Sequence, residues 1–133
     1  MRTSGLQHGR LSALVAAMGH GDLLVIADAG LPVPPGVECV DLAVCAGVPR
    51  FLDVLRAVAG ELATERIVIA GELAEGNPAL ASEIAAISGA ARREPDVVPH
   101  EAFKALTAGA AAIVRTGEFT PYANVILVGG VAF

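Results

Sequence analysis

Histidine gives and takes a proton near neutral pH more readily than any other ordinary side chain, and the chain has three: His8, His20 and His100. His20 lies between Gly19 and Gly21 in "MGHGDLLVIADAG" (18–30), with little bulk beside it. Such an imidazole either faces a ligand or closes a helix end by bonding its last carbonyls. Asp28 follows the apolar run "LLVIA" and precedes a proline-stiffened loop. In open α/β sheets, ligands collect beyond the carboxyl ends of strands. Asp28 is therefore placed to hold a ligand or to bond the backbone of its own turn. His100 and Lys104 are four apart, on one face of a short helix after Pro99. Together they can grip the oxygens of a polar ligand, or stand solvated at the surface. In "TPYAN" (120–124), Tyr122 is the sole tyrosine and offers a ring face and a hydroxyl. Asn124 offers both donors and acceptors. The alternative for this pair is a turn leading into the core.

Spacing restricts how these groups combine. If residues 21–27 are extended, at about 3.3 Å per residue, His20 and Asp28 lie on the order of 25 Å apart. They cannot easily share one pocket within a subunit. Either they serve different purposes, or a pocket forms between copies, with His20 from one and Asp28 from its neighbour. No histidine pair has metal-ligand spacing. No GxGxxG, GxxxxGK[ST] or GxSxG occurs, so neither a metal nor a nucleotide cofactor is expected.

The elements that must position these groups alternate between helical and strand-like patterns. Leu11, Leu14, Val15 and Met18 fall at i, i+3, i+4 and i+7, the spacing of a short amphipathic helix. That pattern makes the segment after Arg2 and Arg10 part of the fold and not a signal peptide. "LLVIA" (23–27), "ECVDLAV" (38–44), "RIVIA" (66–70), "VVP", "AAIVR" (111–115) and "NVILVGG" (124–130) read as strands. "GLPVPPG" (30–36) is a rigid loop, because its prolines fix φ and remove donors. Pro49 is expected to open a helix whose apolar face is Phe51, Leu52, Leu55, Val58 and Leu62. Asn77 caps a helix begun by Pro78, with Leu80, Ile84 and Ile87 inward. A charged turn, "ARREPD", follows, and then the short helix "HEAFKALTAGA". The pattern predicts one domain over residues 1–133, an α/β protein with helices on both faces of a mixed, mainly parallel sheet. The apolar end "VAF" is expected to pack against a core or a neighbouring subunit.

Hydrophobic residues make up 54% of the chain and aromatics only 4%, with a mean hydropathy of +0.62. Small aliphatic residues in this excess point to tight helix–sheet packing and to surface buried in a homo-oligomer. The longest uncharged stretch, Phe119 to Phe133, is too short for a membrane span and is broken by Pro121 and Asn124. The net charge of −5, with no basic run, argues against nucleic acid as a partner. Cys39 and Cys45 form neither a CxxC pair nor a disulfide framework. They are expected to be buried, reduced thiols, as in a cytoplasmic protein.

"GHGDLLVIADAGLPVP", "GVPRFLDVL", "HEAFK" and "RTGEFTPYANVILVGGVAF" resemble the ribose pyranase and fucose mutarotase family from end to end. The "DAGLPVP", "HEAFK" and "PYAN" blocks are similar to the pyranase branch, whereas Gly21 in "GHGD" is shared with the fucose mutarotases. The resemblance implies a three-layer α/β/α pyranase-like fold. It implies an isomerase that interconverts the pyranose and furanose rings of D-ribose, without a cofactor. The alternatives are a mutarotase for another monosaccharide such as L-fucose, and a non-catalytic sugar-binding or sensor protein. It implies that His20 is the acid–base residue and that Asp28, His100, Lys104, Tyr122, Ala123 and Asn124 bind the sugar. It also implies ring-shaped homo-oligomers, pentamers paired into decamers, with sites between subunits, acting in the cytoplasm.

Overall fold

The computed structural model describes residues 1–89 and 93–133. Helix α1 (Gly9–Ala17) leads to strand β1 (Leu23–Ala27), then β2 (Glu38–Asp41), α2 (Phe51–Ala59) and β3 (Thr64–Ala70). Helices α3 (Gly71–Gly76) and α4 (Pro78–Ile87) precede β4 (Asp96–Val98) and α5 (His100–Leu106). A 3₁₀ turn over Thr107–Gly109, β5 (Ala112–Arg115) and β6 (Val125–Gly129) complete the order. The charged turn read at 91–96 lies partly outside the described residues.

Among the described residues, six strands form one sheet in the order β2-β5-β1-β6-β3-β4. The β1–β5, β2–β5 and β3–β4 pairs are parallel, and β6 runs antiparallel to both β1 and β3. Five strands therefore point one way and β6 alone points back, as the expected mixed, mainly parallel sheet requires. The ends of β1 to β5 and the start of β6 share one edge of the sheet. The starts of β1 and β3 and the end of β6 share the opposite edge.

Alternation along the central strands feeds two cores. Leu24 and Ile26 of β1, Leu127 of β6 and Ile67 and Ile69 of β3 pack against α1, α2, α3 and α4 through Leu14, Leu55, Leu73 and Ile84. Val25, Ile113, Ile126 and Val68 face the other way, onto Phe103 of α5 and Leu31 of the proline loop. Helices do lie on both faces, but unevenly. The loop after β1 covers part of the second face, because its prolines keep it out of regular structure while Leu31 is only 3% exposed.

Asn77 accepts the Leu80 N–H at 3.2 Å as the expected cap of α4, with Pro78 in the first turn. Other details differ from the sequence reading. Helix α2 starts at Phe51, with Arg50 at its N-cap, so Pro49 lies just outside it. The Pro49 carbonyl is occupied instead by the Gly117 N–H at 2.9 Å. Strand β2 stops at Asp41 instead of running to Val44, because the Asp41 carboxylate turns the chain by accepting the Ala43 N–H at 3.0 Å. Helix α3 was not expected, since six residues between two elements carry too little periodicity to read. Cys39 is half-buried and Cys45 is exposed in a turn bridged to Val48, so neither thiol is fully buried. No helix among the described residues is long and apolar enough to cross a membrane.

Candidate functional site

At the carboxyl edge of the sheet, Asp28 and Asn124 hold each other reciprocally. The Asp28 N–H donates to Asn124 Oδ1 at 2.8 Å, and Asn124 Nδ2 donates to Asp28 Oδ2 at 3.1 Å. Asn124 is 1% exposed, whereas Asp28 is only half-buried. The second Asp28 oxygen accepts the Gly30 N–H at 3.0 Å. Both readings of Asp28 thus hold at once: it closes its own turn, and it presents a fixed carboxylate at a strand end. This position follows from topology, since β6 starts where β1 ends.

The turn before β6 sets the next residue. The Asn124 N–H bonds the Tyr122 carbonyl at 2.8 Å, and the fully buried Ala123 lies between them. Tyr122 has φ 61°, in the left-handed region that costs a non-glycine residue roughly 1–2 kcal/mol. Such backbone persists only where the surroundings over-determine it, and functional clefts are a common place for it. The residue is 38% exposed, and its ring stands edge-on to the His100 imidazole with centroids 5.0 Å apart. His100 also stacks on the buried Phe103, with centroids 6.3 Å apart. The backbone N–H of His100 donates to both Glu72 carboxylate oxygens, at 3.0 and 3.2 Å, which pins the start of α5. His100 Nδ1 is buried and has no hydrogen-bond partner among the described residues.

Asp28, Gly30, Leu31, Pro32, His100 and Tyr122 line a concavity of about 200 Å³. Drug-sized ligands occupy roughly 300–1,000 Å³, so this volume suits a small polar molecule. A second hollow of about 360 Å³ adjoins it through Asp28 and Gly30 and is walled by Glu118 and Phe119. Lys104, one turn along α5 from His100, stands outside the lining and pairs with Glu101 at 2.8 Å. Hydrogen bonding from Lys104 holds the Glu101 carboxyl below the usual range.

His20 is at the other edge. Its side chain is 64% exposed, and Nε2 lies 2.8 Å from Glu65 Oε2 at the start of β3. The structure therefore brings Asp28, His100, Tyr122 and Asn124 together and leaves His20 at the far end of β1. That is the separation expected from the extended run between them.

Besides Glu65, two acidic residues escaped the sequence reading. Glu72 is 28 residues from the His100 it supports, and no local pattern could join them. Glu118 lies inside "RTGEFTPYAN", yet nothing in that stretch shows that it accepts the Phe51 N–H at 3.2 Å, the first of α2. Its other oxygen takes the Thr120 hydroxyl at 2.9 Å and the Thr120 N–H at 3.4 Å. Burial pushes the Glu118 carboxyl up, but these bonds outweigh it and hold the group below the usual carboxylate range. Its stabilisation is complete above the ordinary glutamate pKa, near 4.5, and is lost as pH falls through the lower value in the folded chain. Glu118→Gln is expected to unfold more easily than the parent at neutral pH, with the difference shrinking as pH drops below 4.5. Thermal unfolding from pH 7 to pH 3 checks this, and a pH-independent difference would refute it.

Comparison with known proteins fits this geometry to a family. The model of the RbsD / FucU transport protein family matches residues 1–132. The chain belongs to this family. Among the relatives of this RbsD/FucU-family chain is the D-ribose pyranase of Pseudomonas putida (strain GB-1), 50% identical over 133 residues and covering all of both chains. Bacillus subtilis RbsD, solved in complex with D-ribose, superposes with a TM-score of 0.92 at 43% identity, again over all of both chains. The fucose mutarotase of Streptococcus pneumoniae, solved with L-fucose, shares the fold at a TM-score of 0.70 and 22% identity, covering 95% of this chain and 94% of that one.

Proposed function

We propose that the chain is an isomerase that interconverts the pyranose and furanose rings of D-ribose through the open-chain aldehyde. The observation that carries this reading is the full-length likeness to D-ribose pyranases, at an identity far above that to the fucose mutarotase. The concavity supports it, because its volume and its fixed carboxylate, imidazole and tyrosine suit one small polyhydroxylated molecule.

Ring exchange is redox-neutral and asks only for proton transfers. Neutral His20 accepts the proton of the anomeric hydroxyl as the bond between C1 and the ring oxygen breaks, and returns it to that oxygen. For closure it accepts the proton of a different hydroxyl as that oxygen attacks C1, and returns it to the carbonyl oxygen. The imidazole ends each half unchanged, and atoms and charge balance. Asp28 accepts from sugar hydroxyls and His100 Nδ1 gains a partner from one of them. Tyr122 packs on the ring, with Ala123 and Asn124 fixing its turn. Lys104 closes the rim by leaving Glu101 for a sugar oxygen.

Because His20 and Asp28 occupy opposite edges, this reading places each site between two copies of a cytoplasmic ring-shaped oligomer, a pentamer or decamer. Exposed apolar side chains support that arrangement at both edges. Val44, Val48 and Phe119 (70% exposed) stand near the Asp28 end, and Val131 and Phe133 follow β6 at the His20 end. Saturation-transfer NMR on D-ribose and L-fucose tests the function. Faster pyranose–furanose exchange of D-ribose is expected. Acceleration restricted to L-fucose anomers, or binding without acceleration, would overturn it.

A further inference from the structure

We propose that Glu65 is the positioning residue for His20, holding its Nε2 and leaving Nδ1 as the nitrogen that exchanges protons with the sugar. This rests on His20 being the acid–base residue of the proposed isomerase. A carboxylate has only acceptor oxygens, so a neutral imidazole 2.8 Å away must keep its hydrogen on Nε2. The hydrogen bond made by one ring nitrogen decides which nitrogen is bare, and therefore which can act as a base. An imidazole that is 64% exposed would otherwise sample several rotamers and both tautomers.

The backbone around the pair is built for this contact. The Gly21 N–H donates to the Gly129 carbonyl at 2.8 Å, the Gly129 N–H donates to the Asp22 carbonyl at 2.8 Å, and the Gly19 N–H donates to Asp22 Oδ2 at 2.8 Å. These bonds strap the His20 turn onto the end of β6. A Cβ at Gly129 would come within 2.6 Å of the Gly19 carbonyl oxygen, and one at Gly130 within 3.0 Å of Glu65 Cβ. Real Cβ atoms essentially never approach at the first of these distances. The glycine pair of "VGGVAF" thus lets the His20 turn and the start of β3 meet across β6. No spacing rule connects residues 45 apart, so this partner is visible only once the sheet is formed.

The test compares Glu65→Ala, Glu65→Gln and His20→Ala in the intact oligomer. Glu65→Ala is expected to lower kcat roughly tenfold, the lower end of the loss caused by removing a partner that orients a metal-ligating histidine, with KM little changed. Glu65→Gln retains an oxygen that can accept the same hydrogen and is expected to recover most of that loss, which a purely structural role would not produce. In parallel, ¹⁵N NMR of the histidine-labelled parent is expected to show His20 protonated at Nε2 and bare at Nδ1 once the imidazole is neutral. This second measurement stands even if Glu65→Ala fails to assemble. Unchanged kcat in Glu65→Ala with activity lost in His20→Ala would overturn the role of Glu65 alone. Activity retained in His20→Ala would overturn the underlying reading instead. An Nδ1–H tautomer in the parent would overturn the atom assignment.

Discussion

Replacing His20 with alanine is expected to remove most of the acceleration of D-ribose ring exchange, a loss of about 10²–10⁴-fold, while sugar binding and assembly survive. The magnitude is that of a positioned general acid–base group. Binding survives because the proposed gripping groups, Asp28, His100, Tyr122 and Asn124, lie at the other edge of the sheet. Stability survives because the imidazole is largely solvent-exposed and its hydrogen bond is a surface pair with Glu65, a kind of interaction worth little on its own. Saturation transfer gives the turnover, and calorimetric titration with D-ribose gives the affinity. Parallel loss of both quantities would show that His20 binds the sugar instead of moving its protons.

Asn124 is expected to behave in the opposite way. Asn124→Ala strips the Asp28 N–H and one Asp28 oxygen of their partner inside a site where the amide is 1% exposed. Leaving a buried hydrogen-bonding group unsatisfied costs roughly 1–3 kcal/mol. Both stability and sugar affinity should fall, because the released Asp28 carboxylate no longer holds one direction. Asn124→Asp is the sharper variant. It sets a second carboxylate in the place of an amide nitrogen that lies 3.1 Å from Asp28 Oδ2, and two such groups cannot both ionise cheaply. One of them takes up a proton more readily than in the unfolded chain. The destabilisation should therefore be greatest at neutral pH and ease as pH falls and that proton binds. Thermal unfolding across pH checks this, and a variant as stable as the parent at pH 7 would contradict it.

These expectations show how far the sequence could be read. Every apolar run that became a strand was visible, because buried β1 and β6 must be nearly continuous in Leu, Val and Ile. The His20–Asp28 separation was visible because an extended chain has a fixed rise. Residues such as Asp28 and His100 were legible as polar groups at strand and helix ends. Their convergence was not, since it depends on β6 running backwards between β1 and β3. The left-handed Tyr122 was hidden as well, because "PYAN" carries no glycine to announce a positive φ. Glu65, Glu72 and Glu118 look like ordinary surface charges in sequence, and their contacts cross 45, 28 and 67 positions respectively. Element boundaries slipped for a local reason: at Pro49, before α2, and at Asp41, the end of β2, a single tertiary or side-chain hydrogen bond decides where the element begins or ends.

The central claim is that one site takes His20 from one copy and the Asp28 cluster from another, and subunit mixing tests it most directly. His20→Ala and His100→Ala chains, each inactive alone, are dissociated, mixed in equal amounts and reassembled, and D-ribose ring exchange is measured. Shared sites predict that activity returns, because about one site in four then combines an intact His20 edge with an intact His100 edge. A mixture that assembles and remains as inactive as its parents would contradict the claim.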